Sequence, residues 1–233
     1  MRFDTRLIHS GQPADPLTGA VNVPVYLSST FRQSAPNRHR GYVYSRSGNP
    51  TRRVLESALA AAESGRTGLA FSSGLGALTT LLEAFPTGSR IVSVDDLYGG
   101  TWRLFEHHRR QFGVRFDYVD MTDPARVADA LDGDPTAMVY VESPTNPLLR
   151  IVDLRAVVRL AHRAGAVVAV DNTFASPLAP SRTKTARSSW RRRNSSPTGA
   201  SGATSGSGGL RAKATERSRT VASSRPRRRT SSS

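Results

Sequence analysis

Apolar positions recur at helical spacing between Thr51 and Ser64, where Val54, Leu55, Ala58, Leu59 and Ala62 share one face and Gly65 marks the stop. Beyond it the pattern predicts a short apolar strand, Leu69–Phe71, and a helix from about Gly76 to Phe85, ended by Pro86-Thr87-Gly88. A buried strand follows at Arg90–Val94, then a helix over Thr101–Phe112 and a strand over Val114–Val119. Asp123 caps a helix to Leu131, Ala137–Val141 reads as a strand, Asp153 caps a helix to Ala164, and Val167–Val170 is again a strand. Residues 1–50 are rich in Gly, Pro, Ser and Asn, lack periodicity, and read as an extended N-terminal arm with turns.

Strands alternating with helices predict an α/β fold: a mostly parallel sheet with helices on both faces. Near-continuous apolar strands suit a sheet covered on both sides. Ligands in such sheets sit at the carboxyl ends of the strands. The loops after Phe71, Val94, Val141 and Val170 are therefore where chemistry is expected.

The pattern stops near residue 179. Between Pro180 and Ser233 the only Leu, Ile, Val or Phe are Leu210 and Val221. Such a segment buries too little apolar surface to offset its chain entropy, so residues 180–233 are expected to be a disordered tail. It also explains the net charge of +15. From Pro180 onward lie 14 of the 33 Lys+Arg but one of the 18 acids, Glu216, so the tail carries +13 and residues 1–179 only +2. The domain reading is an arm (1–50), a partial α/β domain (51–179) and the basic tail (180–233). There is no cysteine, hence no disulfide framework, Cys-ligated metal or Cys nucleophile. No apolar leader or membrane-length run is seen, and the expected location is cytoplasmic.

The loops offer a consistent set of groups. Ser72-Ser73-Gly74-Leu75-Gly76 joins an apolar run to a helix, and free N–H groups at that helix start would suit an anion; a plain tight turn is the alternative. Tyr98, in Asp95-Asp96-Leu97-Tyr98-Gly99-Gly100-Thr101, is placed to stack on a flat ligand or to pack at the rim. Glu142-Ser143-Pro144-Thr145-Asn146-Pro147 is a stiff loop rich in hydrogen-bonding groups, or simply a rigid surface turn. Asp171, in Asp171-Asn172-Thr173-Phe174, would be a costly carboxylate at a strand end unless a cation such as a protonated ring nitrogen pairs with it; a helix cap is the alternative. Tyr44 and Arg46, in the arm, suit a phosphate or an ordinary solvated loop. His107 and His108 read as surface residues.

In order, YSRSGNPTR, SSGLGAL, DDLYGGT, ESPTNP and VDNTFASP resemble the Cys/Met-metabolism family of pyridoxal-phosphate enzymes, with GYVYSRSGNPTR most similar to the cystathionine γ-synthase and γ-lyase type. The resemblance spans about residues 4–178 and implies an incomplete large domain of the type I PLP-transferase fold. It implies pyridoxal 5'-phosphate as cofactor, with Gly74 and Leu75 donating to its phosphate, Tyr98 stacking on its ring and Asp171 pairing with the ring nitrogen. Asn146 would lie near the ring hydroxyl, Glu142 would support that loop, and Thr173 belongs to the same cofactor-binding set. Tyr44 and Arg46 would reach the phosphate of a neighbouring subunit, in a homodimer or homotetramer. The implied function is transsulfuration: β or γ elimination or replacement on a sulfur amino acid or homoserine ester.

One part of that pattern is missing. Relatives carry a lysine, covalently bonded to the cofactor, about twenty-five residues beyond the aspartate of DNTF. The corresponding stretch here is Arg191-Arg192-Arg193-Asn194-Ser195-Ser196-Pro197, and the chain's two lysines are Lys184 and Lys213. Lys184, some twelve residues too early, is the one candidate; no catalytic residue is otherwise assigned. The expectation is a truncated, catalytically impaired chain whose tail arises from a reading-frame shift near residue 179. Two further readings stand beside it: a basic-tailed nucleic-acid or anion-binding protein, disfavoured because the tail holds a single aromatic, Trp190, and no recognisable module, and a non-catalytic subunit of an intact paralogue. No metal ligand set is seen.

Overall fold

A computed structural model describes residues 3–175, and four parallel strands organise it. In chain order the elements are α1 (Phe3–His9), α2 (Pro50–Ala62), α3 (Gly74–Leu82), β1 (Arg90–Val94), α4 (Gly99–Phe112), β2 (Arg115–Val119), α5 (Pro124–Leu131), β3 (Met138–Glu142), α6 (Leu154–Arg163) and β4 (Val167–Asp171). The sheet order is β2-β1-β3-β4 with every pair parallel.

Period-two alternation divides the apolar side chains between the two faces. Val92, Val94, Val139 and Val141 join Val127 of α5 and Leu154, Val157 and Ala161 of α6 in one core. Ile91, Met138 and Tyr140 join Leu78 and Leu82 of α3 and Phe105 of α4 in the other. The second face is the one that matters for chemistry. By the same alternation Ser93, Glu142 and Asp171 point to it, and Glu142 stands beside Asp171 in the ladder register.

Local signals account for the helix starts. Asn49 caps α2 through Thr51 N–H with Pro50 behind it, Asp123 caps α5 through Ala125 N–H, and Asp153 caps α6 through the N–H groups of Arg155 and Ala156. At the amino ends of the strands Arg90 holds Asp117 Oδ2 at 2.6 Å, Thr136 Oγ1 at 3.0 Å and the carbonyls of Ala130 and Asp134. That guanidinium pins the sheet at the pole opposite the loops expected to carry chemistry.

Four expectations are corrected. Leu69–Phe71 forms no strand among the described residues: it has no ladder partner, and β preference in so short a run depends on pairing. The arm holds a helix, α1, packed on α2, together with isolated bridges such as Thr30 to Tyr44. His107 is exposed as expected, but His108 is buried. It lies three residues after Phe105, on the same helix face, and its Nδ1 meets Leu104 O at 3.0 Å while Nε2 has no partner. α3 and α4 also begin two residues earlier than expected, at Gly74 and Gly99, because their glycines form the first helical turn.

Candidate functional site

A hollow of about 350 Å³ opens at the carboxyl ends of β3 and β4, lined by Ser73, Gly74, Leu75, Tyr98, Glu142, Asn146, Asp171 and Thr173, with Leu78, Thr101 and Phe174. Seven of the nine residues assigned from sequence to the cofactor therefore converge. The two that do not are Tyr44 and Arg46, which lie in the arm and contact each other. Arg46 Nη2 donates to Tyr44 Oη at 2.6 Å, with the guanidinium 5.2 Å from the ring centre. Lys184 lies outside the described residues.

The start of α3 forms one end of the hollow. Ser73 caps the helix by accepting from Gly76 N–H at 3.0 Å. That leaves the N–H groups of Gly74 and Leu75 with no partner among the described residues, at the positive end of the helix dipole. Gly74 has an ordinary negative-φ backbone, and a Cβ placed on it would meet nothing within 4 Å. Packing inside the chain does not require glycine there, and the space beside it is open.

Tyr98 is set by a different glycine. A Cβ at Gly100 would come within 2.3 Å of the Tyr98 ring, so the ring rests over the first turn of α4 only because that residue has no side chain. Its backbone N–H donates to Glu142 Oε2 at 3.0 Å. Tyr98 remains 46% exposed, an aromatic face left open at the rim.

Asp171 closes the other end. Tyr140 Oη donates to its Oδ2 at 3.1 Å, and Thr173 donates to Oδ1 from both N–H (3.1 Å) and Oγ1 (2.6 Å). Thr173 thus spends its hydroxyl on orienting Asp171. Burial, reinforced by the neighbouring Asp171 charge, pushes the Tyr140 phenol well above its usual range, so it stays a proton donor. No helix begins at Asp171 among the described residues, which removes the cap reading.

Glu142 is buried and ties two loops rather than one, accepting from Tyr98 N–H and also facing the Asn146 N–H. Burial raises its carboxyl above the ordinary range, and the Asp171 charge adds to this. A carboxyl harder to ionise in the folded chain than in the unfolded one loses stability as pH rises through and above that range. The Glu142→Gln variant should therefore gain on the parent between about pH 4.5 and about pH 7. Urea midpoints at the two pH values test this, and an unchanging gap would refute it.

Sequence reading missed a second brace. Asp96, buried below Tyr98, accepts from Thr145 Oγ1 and from Leu148 N–H at 3.2 Å, and Thr145 Oγ1 in turn accepts from Arg150 N–H at 2.8 Å. This locks the loop after β1 to the loop after β3. An acid pair, Asp95-Asp96, facing a threonine between two prolines was the available signal. Tyr140 was missed as well, hidden inside an apolar strand.

The hollow thus offers two free N–H groups at a helix start, an open aromatic face and an oriented carboxylate. A flat cation bearing an anionic arm fits that set. The profile of the Cys/Met metabolism PLP-dependent enzymes matches residues 4–183. A cystathionine beta-lyase of Coxiella burnetii is 49% identical over 177 residues, 76% of this chain and 46% of that protein. A probable cystathionine gamma-synthase of Herpetosiphon aurantiacus is 46% identical, over 75% of this chain and 54% of that protein. Among solved structures, cystathione gamma lyase (CalE6) of Micromonospora echinospora is 47% identical with a TM-score of 0.70, over 76% of this chain and 46% of that one. Cystathionine gamma synthase of Xanthomonas oryzae pv. oryzae is 42% identical with a TM-score of 0.71. The chain spans about half the length of the relatives it matches. On the extent of these matches, it belongs to the Cys/Met-metabolism family of pyridoxal-phosphate-dependent enzymes.

Proposed function

We propose that this chain is the cofactor-cradling part of a transsulfuration enzyme acting on a sulfur amino acid or homoserine ester by β or γ elimination or replacement. The observation that carries the reading is the pairing of opposite polarities across one hollow: the unpartnered N–H groups of Gly74 and Leu75 at one end and the Asp171 carboxylate at the other. When bound, pyridoxal phosphate supplies a cationic ring that withdraws electrons from the substrate. Gly74 and Leu75 hold the phosphate, Asp171 keeps the ring nitrogen protonated, and Tyr98 covers the ring face. Asn146 donates beside the ring hydroxyl, Glu142 fixes the Tyr98 and Asn146 loops, and Thr173 orients Asp171. Tyr44 and Arg46 make no contact with the hollow of their own chain, which supports their reaching a second subunit's phosphate in a homo-oligomer.

The residues described contain no lysine, and the chain's two are Lys184 and Lys213. Covalent capture of the cofactor and proton transfer at the substrate therefore lack their usual group, and this chain is proposed to bind the cofactor reversibly with little turnover. The change in composition after residue 179 is proposed to be a frame shift; the gene's other frames should resume an apolar strand and a lysine, and their failure to do so would end that proposal. None of the described helices is long and apolar enough to cross a membrane, and a cytoplasmic location is proposed.

The experiment is a pyridoxal phosphate titration of the purified chain, followed by absorbance, then borohydride and peptide mapping. The expected result is saturable binding that dialysis reverses and no borohydride-stable label. Gly74→Ala should leave the thermal midpoint unchanged or slightly raised, since the added methyl meets nothing within 4 Å outside its own helix, while weakening binding roughly tenfold by crowding the phosphate. Absence of saturable binding would falsify the reading, and a stable label on Lys184 would overturn the noncovalent part.

A further inference from the structure

Two carboxylates face the hollow, and no cationic side chain among the described residues does. Asp171 and Glu142 end neighbouring strands as register partners, and both line the space. The other lining residues carry hydroxyls, an amide or apolar groups, with no Lys, Arg or His among them. Neither carboxylate has an ion-pair partner among the described residues. Asp171 is held by the hydroxyls of Tyr140 and Thr173 and by Thr173 N–H. Glu142 is held by the backbone N–H groups of Tyr98 and Asn146. All of these donors are neutral.

A carboxylate with dipoles but no cation beside it keeps much of its field, and that field acts on whatever enters the same space. A protonated ring nitrogen answers one of the two charges, that of Asp171. Glu142 is left over. It is only 4% exposed, so bulk water does not screen it as it would a surface acid. Burial lifts its carboxyl above the usual range, as expected of a negative charge short of compensation.

We infer that the hollow prefers a phosphorylated pyridine bearing a second positive charge, so that pyridoxamine phosphate binds above pyridoxal phosphate, and that Glu142 is the group that makes the choice. The choice rests on the hollow being the cofactor site, and adds which form of the cofactor it takes. The phosphate and the ring nitrogen are common to both ligands. Gly74, Leu75 and Asp171 therefore contribute alike to each, as would an arginine brought by a second subunit. The ligands differ at one arm. The aldehyde is neutral, whereas a primary alkyl amine stays protonated at neutral pH, as a lysine side chain does. Selectivity is a difference between two affinities, and an unpaired buried carboxylate creates one wherever the ligands differ in charge.

The test is equilibrium dialysis of the 233-residue chain near neutral pH against pyridoxamine phosphate, pyridoxal phosphate and pyridoxine phosphate. The last carries a hydroxyl where the first carries the ammonium, so the two differ in charge and hardly in size, and neither reacts with a lysine. Weak phosphate binding elsewhere on a chain of net charge +15 is common to all three and cancels in the ratios. The amine is expected to bind roughly tenfold tighter than the alcohol, between the worth of an exposed ion pair and a buried one, with the aldehyde close to the alcohol. Glu142→Gln keeps an oxygen for Tyr98 N–H and should bring amine and alcohol to within about threefold of each other. An amine within about twofold of the alcohol in the parent overturns the proposal without recourse to any variant. An aldehyde that binds tighter than the amine overturns it too, as does the full preference surviving in Glu142→Gln. Equal saturable binding of all three sinks this inference and leaves the cofactor reading standing, whereas no saturable binding of any of them sinks both.

Discussion

An Asp171→Asn variant is expected to bind pyridoxal phosphate roughly 10- to 150-fold more weakly than the parent, the worth of about 1.5–3 kcal/mol for one charge-assisted hydrogen bond. Asp171 ends β4 facing the hollow, with Tyr140 Oη at 3.1 Å and Thr173 Oγ1 at 2.6 Å fixing its carboxylate. An oriented acid costs no reorganisation when a cationic ring nitrogen meets it, which is why one oxygen can carry so much of the affinity. The amide oxygen of asparagine can still accept from Thr173 in place of Oδ1, while its NH2, in place of Oδ2, can donate to the Tyr140 hydroxyl oxygen, so the fold should survive with a urea midpoint near the parent's. Tyr140→Phe, which removes one orienting donor but keeps the charge, should weaken binding less. Titration of the three proteins with the cofactor decides the matter. An Asp171→Asn affinity within twofold of the parent removes Asp171 from the site.

Truncating the ring under α4 should cost the most stability. Phe105 is 0% exposed, stacks on Phe116 at 4.4 Å between ring centres and meets Tyr140 edge-on at 5.2 Å. Phe105→Ala should lower the unfolding free energy by about 3–5 kcal/mol, from lost transfer energy and the cavity left behind. Losing the aromatic pairs adds to this by about 0.5–1.5 kcal/mol for each. Against a typical domain stability of about 5–15 kcal/mol, that leaves a large share of the chain near unfolding. Cofactor affinity should fall with it, because Tyr140 loses the wall that aims its hydroxyl at Asp171. Phe105→Leu should recover most of the stability. Urea unfolding followed by circular dichroism measures both, and a Phe105→Ala loss below about 1.5 kcal/mol would show that α4 is not anchored there.

The same ring shows how far linear reading goes. The spacing of apolar residues in Thr101–Phe112 predicts the helix but not the depth of each face. His108 shares Phe105's side of that helix, three residues on, and reading the pair of histidines together as surface overlooked this. Leu69–Phe71 fails in the other direction: its residues suit a strand, but a ladder bond needs a partner, and none is present among the described residues. Glu142 was expected to serve one loop and serves two, because the register that places it beside Asp171 also brings Tyr98 N–H over its carboxylate.

Periodicity, capping residues and turn chemistry, all properties of a few neighbouring positions, were enough to locate the alternating helices and the strands β1 to β4, and five ordered loop motifs were enough for the family. Which side chain faces which is a matter of register and of the strand order β2-β1-β3-β4, settled by contacts between positions far apart in the chain. Asp96 meets Thr145 across 49 positions, and Tyr140 meets Asp171 across 31. Only the assembled sheet could therefore show that Asp171 has its orienting donors in place and that the free N–H groups of Gly74 and Leu75 open onto the same hollow. A linear pattern encodes what each residue prefers locally, whereas a site is made of distances, and those arise when the sheet closes under its two cores.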